Sequence, residues 1–255
     1  MNLLTIITVH EINLDIRLLA LMLVVFIAGI IRGYTGFGSA LLAVPALAVL
    51  YGPVQAVVIE VLIEIPVSLG LLPNAIRKAE RSTVLPMLLM FALFVPAGAL
   101  LLKIANPDYV KLAISIFVLF AVVLLWQQAR FTKLISPKAN YVVGSISGIT
   151  QGLTGIAGPL FVTALLARGE DNTKTRANIT ALAAGIVLFS VLSFWFFDLF
   201  TLQLVFIAML ASPAILSGVW MGSALFNRAP NTKFREIILI FLALTAAFVL
   251  IETMF

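Results

Sequence analysis

Arg32, Glu60 and Glu64 stand inside long apolar runs, where an ionisable side chain is expensive enough to point to a task. The guanidinium of Arg32 offers a planar fork of donors suited to a tetrahedral oxyanion. Glu60 and Glu64 are spaced i, i+4 and share one helix face. Two stacked carboxyl groups away from water are not both ionised at neutral pH, so the pair is a candidate proton carrier. The alternative reading is that the acids neutralise Arg32 and hold it in place. Around the arginine, GIIRGYTGFGSALLAVP (29–45) supplies the hydroxyls of Thr35 and Ser39 and the permissive backbone of Gly36 and Gly38. A second stretch, GITQGLTGIAGPLFV (148–162), repeats the first with Gln151 in place of Arg32, and carries Thr154, Gly155 and Gly158. With Asn178, beside Thr180 one turn into a later helix, these are the candidate substrate-binding residues.

The elements that hold them follow from composition. Of 255 residues, 62% are hydrophobic and 11% charged, against about 25% charged in a soluble domain, and mean hydropathy is +1.17. Such a chain is an integral membrane protein. Apolar runs cover 16–33, 39–51, 55–72, 83–102, 108–127, 140–152, 159–168, 177–197, 202–225 and 234–254. A span needs about 20 residues, so 39–51, 140–152 and 159–168 are too short to cross alone. Each joins a neighbour through a glycine-rich turn, which gives two hairpins, 16–51 and 140–168, with tips at membrane depth. Irregular backbone at that depth survives only in protein or around a cavity. The descending arms are expected to start near Ser39 and near Pro159, the latter a favoured first-turn proline, and a helix N-terminus suits an anion.

Gly29, Gly33, Thr35 and Gly36 recur 119 residues later as Gly148, Gly152, Thr154 and Gly155. Gly-x-x-x-Gly spacing alone would suit close helix packing; duplication together with the threonine favours a paired site. The fold expected is therefore an all-α polytopic membrane protein, one transmembrane domain over 1–255. Repeat one covers 12–130 and repeat two covers 138–255. Each is a broken or re-entrant helical hairpin plus three transmembrane helices, and an odd number of crossings inverts the second copy. Loop charges agree with this. Arg77, Lys78 and Arg81, then Arg130, Lys133 and Lys138, then Arg168, Lys174 and Arg176, then Arg228, Lys233 and Arg235 account for twelve of the sixteen Lys and Arg. Placing these four clusters inside puts both termini outside.

Several classes are excluded or set aside. There is no cysteine, and the single histidine, His10, lies in the polar lead with Glu11 and Asp15. No metal site, cofactor or catalytic triad is expected, nor a cleavable signal. The basic charge is explained by topology, so no nucleic acid is expected. Trp126, Trp195 and Trp220 read as interfacial or packing residues, and Pro66, Pro96 and Pro213 fall inside spanning helices.

RGYTGFGSALLAVP, GLTGIAGPLF and the two-half arrangement resemble the sulfite exporter TauE/SafE family, also called the toluene sulfonate uptake permease family, over essentially the whole chain. Where that family's pattern carries Gly-Gly-Pro and Gly-Thr-Ser in its second half, this chain has Ala157-Gly158-Pro159 and Asn178-Ile179-Thr180. The Glu60/Glu64 pair is not part of the pattern. The resemblance implies ion-coupled secondary transport of sulfite, sulfoacetate or other sulfonates across the bacterial inner membrane. The partners are then a small anion and the lipid bilayer, with a homodimer as a further candidate. Two other readings share some of these residues. A passive anion channel would use the same site without coupling. An intramembrane lipid-diphosphate phosphatase would use the acids and arginine, but the chain lacks the Ser-Arg-Ser segment and any substitute nucleophile.

Overall fold

The computed structural model describes residues 16–127, 139–168 and 172–228. Among them the regular structure is entirely helical: α1 (Ile16–Thr35), α2 (Ser39–Tyr51), α3 (Pro53–Lys78), α4 (Arg81–Ile104), α5 (Pro107–Trp126), α6 (Ala139–Thr154), α7 (Gly158–Leu166), α8 (Asn172–Phe196) and α9 (Leu202–Arg228). The closing helix expected at 234–254, the segment with Arg130, Lys133 and Lys138, and His10, Glu11, Asp15, Lys233 and Arg235 lie outside the described residues.

Length and composition make α1, α3, α4, α5, α8 and α9 able to cross a bilayer. The helices α2, α6 and α7, with 13, 16 and 9 residues, fall short of a span at about 1.5 Å per residue. This is a multi-pass membrane protein. Its outer face is as apolar as its interior: Leu19, Leu23, Leu89, Leu93 and all three tryptophans are more than half exposed, as lipid-solvated side chains are. Local signals set the helix starts. Pro53, Pro107 and Pro159 occupy first-turn positions, where a missing N–H does no harm. The Asn106 side chain accepts the Asp108 N–H at 2.9 Å to cap α5. Both short arms begin as the sequence predicts, at Ser39 and at Gly158-Pro159.

Small residues set the closest crossings. Gly29 and Gly33 of α1 lie against Gly218, Val219 and Ser223 of α9, and Gly148 and Gly152 of α6 lie against Phe94, Val95, Gly98 and Ala99 of α4. In both pairs the contacts advance in the same chain direction, so each hairpin's long arm runs parallel to a helix of the other half. The central pair α3 and α8 behaves differently. Glu60 and Glu64 share a cavity with Ala183 and Ile186, whereas Lys78 shares one with Arg176, so these two helices run antiparallel. The four motif glycines upstream of the tips therefore serve helix packing, and the tips alone are left for a site.

That division predicts contrasting glycine variants. A Cβ on Gly152 would collide with the Val95 carbonyl, Ala99 N and Gly98 C, so Gly152→Ala should destabilise the protein by about 1–3 kcal/mol. Gly70 of α3 has nothing within 4 Å of an added Cβ, so Gly70→Ala should be neutral or raise stability by up to about 1 kcal/mol. Thermal unfolding of the purified variants in one detergent checks both.

Candidate functional site

Where α1 stops and α2 starts, the chain turns through Gly36 and Gly38, whose φ angles of 83° and 94° are left-handed and strained for any residue with a Cβ. The second hairpin turns at Gly155, with φ 71°. Thr35 and Thr154 hold these turns. The Thr35 hydroxyl donates to the Ile31 carbonyl at 2.8 Å and also bonds the Phe37 backbone. The Thr154 hydroxyl donates to the Thr150 carbonyl at 2.7 Å and accepts the Ile156 N–H at 3.3 Å. The same residue makes the same local bonds in both copies.

The two tips meet at a cavity of about 50 Å³ walled by Arg32, Gly38, Ser39, Glu60, Glu64, Gln151, Gly155 and Gly158, with Phe161, Ala183 and Val187 on its apolar sides. Among the described residues Arg32, in the last turn of α1, is the only Lys or Arg in that wall. It pairs with Glu64 of α3, NH2 to Oε2 at 3.1 Å. The Ser39 hydroxyl, at the start of α2, donates to the other Glu64 oxygen, Oε1. Glu64 thus clamps both arms of the first hairpin. Glu60, one turn back along α3, is 1% exposed, and neither of its oxygens has a hydrogen-bond partner among the described residues; Arg32 Nε is likewise unpartnered. Burying polar atoms without partners is costly, and here they cluster around a single void.

The helix ends aim at the same void. Neither Gly38 before α2 nor Ala157 before α7 makes a side-chain cap bond, and the first residues of both short arms line the cavity, which sets two positive dipole ends beside it. Arg32 on one tip and Gln151 on the other add donors. The site accordingly gathers hydrogen-bond donors, one guanidinium and two carboxyl groups around one void.

Of the residues predicted from sequence, Arg32, Gly38, Ser39, Gln151, Gly155, Gly158, Glu60 and Glu64 come together at this cavity. Thr35, Gly36, Thr154 and Asn178 do not line it. The two threonines spend their hydroxyls on the turns, and Gly36 only shapes one. The Asn178 Oδ1 accepts the Glu80 N–H at 2.7 Å, joining α8 to the start of α4. Among the described residues there is no cluster of His, Cys, Asp and Glu able to hold a metal. Two features were not anticipated. The Ser39–Glu64 bond joins residues 25 apart in the chain and has no local signature. Arg168, which donates to Thr83 Oγ1 at 2.9 Å and to Asn140 Oδ1, ties the second hairpin's base to α4; its place in a basic loop suggested only topology.

The sequence profile of the family described as Sulfite exporter TauE/SafE matches residues 21–249. No curated protein and no solved structure matches the chain.

Proposed function

The chain belongs to the sulfite exporter TauE/SafE family of membrane transporters, and on that premise we propose that it is a secondary transporter of small sulfur-containing or organic anions, such as sulfite, sulfoacetate or other sulfonates. It works in the bacterial inner membrane with both termini periplasmic, by alternating access between inverted halves, repeat one at 12–130 and repeat two at 138–255. The antiparallel run of α3 and α8, the exchanged pairs α1–α9 and α6–α4, and the motif recurrence support the inversion.

The observation that carries the reading is the convergence of Arg32 and the starts of two short helices without side-chain caps on one cavity lined by buried polar residues. Arg32 holds the anion, Gln151 adds a weaker donor from the opposite tip, and Gly38, Ser39, Gly155 and Gly158 bring backbone close. Thr35, Gly36 and Thr154 shape the tips, and Asn178 fixes α8 against α4. Glu64 and an anion compete for one guanidinium, because a carboxylate held by Arg32 leaves no net positive charge for a substrate. Protonating Glu64 removes the competitor. Anion and proton therefore bind together, with Glu60, one helical turn away, as the second carrier. A volume of about 50 Å³, roughly three to five waters at about 10–15 Å³ each, suits a compact oxyanion head.

A thermal-shift panel tests this. At a hundredfold excess over Kd, a ligand that binds only the folded state adds about 2.7 kcal/mol, so sulfite or sulfoacetate should raise Tm by several degrees. Zwitterionic taurine should do less, and a quaternary ammonium nothing. Equal shifts across the panel, or none, would sink the anion site.

A further inference from the structure

A second and larger cavity, about 690 Å³, lies beside the first between α1, α3, α7 and α8, and its wall includes Tyr34, Thr35, Phe37, Lys78, Arg176 and Thr180. We infer that this cavity is a vestibule leading from the basic face of the protein to the anion site, and that Phe37 is the gate between the two. The inference rests on the alternating-access reading above and adds to it a route and a door.

Position comes first. Phe37 belongs to the vestibule wall, while its neighbours Gly38 and Ser39 belong to the wall of the small cavity. Its ring rests on Gly158 of the opposite tip: a Cβ there would lie 3.4 Å from Phe37 Cδ2. Along α7 the wall passes from Gly158 at the small cavity to Val162 and Leu166 at the vestibule. Along α3 it passes from Glu64 to Leu71, Ala75 and Lys78. Glu64 to Lys78 is about 21 Å of helix, enough to reach from mid-membrane to the interface. One aromatic ring thus lies where the two walls meet.

Room for the ring comes next. Phe37 stands between two left-handed glycines, Gly36 and Gly38, with its backbone bonded to the Thr35 hydroxyl, and nothing lies within 4 Å of a Cβ on Gly36, so the ring rather than the backbone has space to swing. The equivalent residue on the second tip is Ile156, with one such glycine, Gly155, before it and Ala157 at φ −127° after it. Ile156 is 1% exposed within the main apolar core, whereas Phe37 is only partly buried. The two tips are therefore unequal barriers: Ile156 is packed into the core, and Phe37 is a single partly buried ring beside open space.

Charge comes last. Among the described residues the vestibule wall carries Lys78 and Arg176 and no acid. Both cations come from clusters that the positive-inside rule places at the cytoplasmic face, and a basic funnel concentrates anions at its narrow end.

The absence of native cysteine allows a direct test by single-cysteine accessibility. Thr180→Cys reports on the vestibule and Ala183→Cys on the anion cavity, probed in inside-out and right-side-out vesicles with an anionic, membrane-impermeant methanethiosulfonate. Thr180→Cys should react fast from the cytoplasmic side whatever occupies position 37. Ala183→Cys should react slowly in the parent and at least tenfold faster with Phe37→Ala, from the cytoplasmic side only. Ile156→Ala should not reproduce that gain, and Phe37→Leu should give an intermediate rate. An unreactive Thr180→Cys, an unchanged Ala183→Cys rate, or a rise equal from both sides would overturn the gate. Matched Tm values exclude general loosening as the source of a gain. Labelling reads access without substrate, so a failed anion panel with a positive gate result would sink the transport reading and leave the gate standing.

Discussion

Replacing Arg32 with alanine should abolish anion binding and reduce anion flux to the background of protein-free liposomes. Among the described residues the side chain is the only Lys or Arg lining the cavity, and a neutral donor does not replace a bidentate cationic one. The same change leaves Glu64 buried without its partner, and removing one member of a buried pair typically costs about 3–5 kcal/mol. Arg32→Ala will therefore be less stable as well as inactive, which confounds the single variant. Arg32→Gln combined with Glu64→Gln resolves the two roles. With both charges gone, stability should return to within about 1–2 kcal/mol of the parent, because a neutral pair of similar volume is often tolerated, while anion-induced stabilisation stays absent. If the ion pair merely held the hairpin, the double variant would recover flux along with stability. Gln151→Ala should be milder, weakening binding by about tenfold or less, since it removes one neutral hydrogen bond.

Neutralising Glu64 alone should have the opposite sign at the binding step and an equally large effect on coupling. In the parent, a deprotonated Glu64 competes with the anion for Arg32, so apparent affinity falls as pH rises, by up to about tenfold per unit where one proton accompanies each anion. Glu64→Gln leaves Arg32 permanently without a competitor. Anion binding should become tighter at alkaline pH and lose most of its pH dependence, and accumulation driven by a proton gradient should disappear while exchange of one anion for another persists. Isothermal titration with sulfoacetate across pH 6–9 reads the first effect, and counterflow reads the second. Glu60→Gln should keep the pH dependence of binding and slow proton-driven flux. If Glu64→Gln retained the parent's pH dependence, the proton would not be carried there.

Much of this arrangement is legible in the sequence because it is written in local, repeated signals. The apolar runs, the Gly-Pro punctuation and the 119-residue recurrence place both hairpins and start their short arms at Ser39 and Gly158-Pro159. The i, i+4 acids put two carboxyls on one face of α3, and they do face Arg32. What stays hidden depends on how helices meet. Gly29, Gly33, Gly148 and Gly152 belong to the recurrence that favours a paired site, yet the parallel crossings with α9 and α4 use them for helix contact. Thr35 and Thr154 look like ligands by type, yet a hydroxyl one residue before a left-handed glycine bonds its own turn first. Phe37 carries no polar atom and so gives no chemical signal; the clue the sequence holds is an aromatic residue flanked by two glycines at a tip.

Proton-driven uptake of radiolabelled sulfoacetate into proteoliposomes tests the central claim most directly, because a permanently charged sulfonate does not leak through lipid as a neutral acid. With the lumen alkaline and the outside acidic, the protein should concentrate sulfoacetate above its external level. A protonophore should release the excess, and the Arg32→Gln/Glu64→Gln variant should show none. Uptake that stops at equal concentrations, or accumulation that survives in the double variant, would contradict an anion–proton transporter built on this pair.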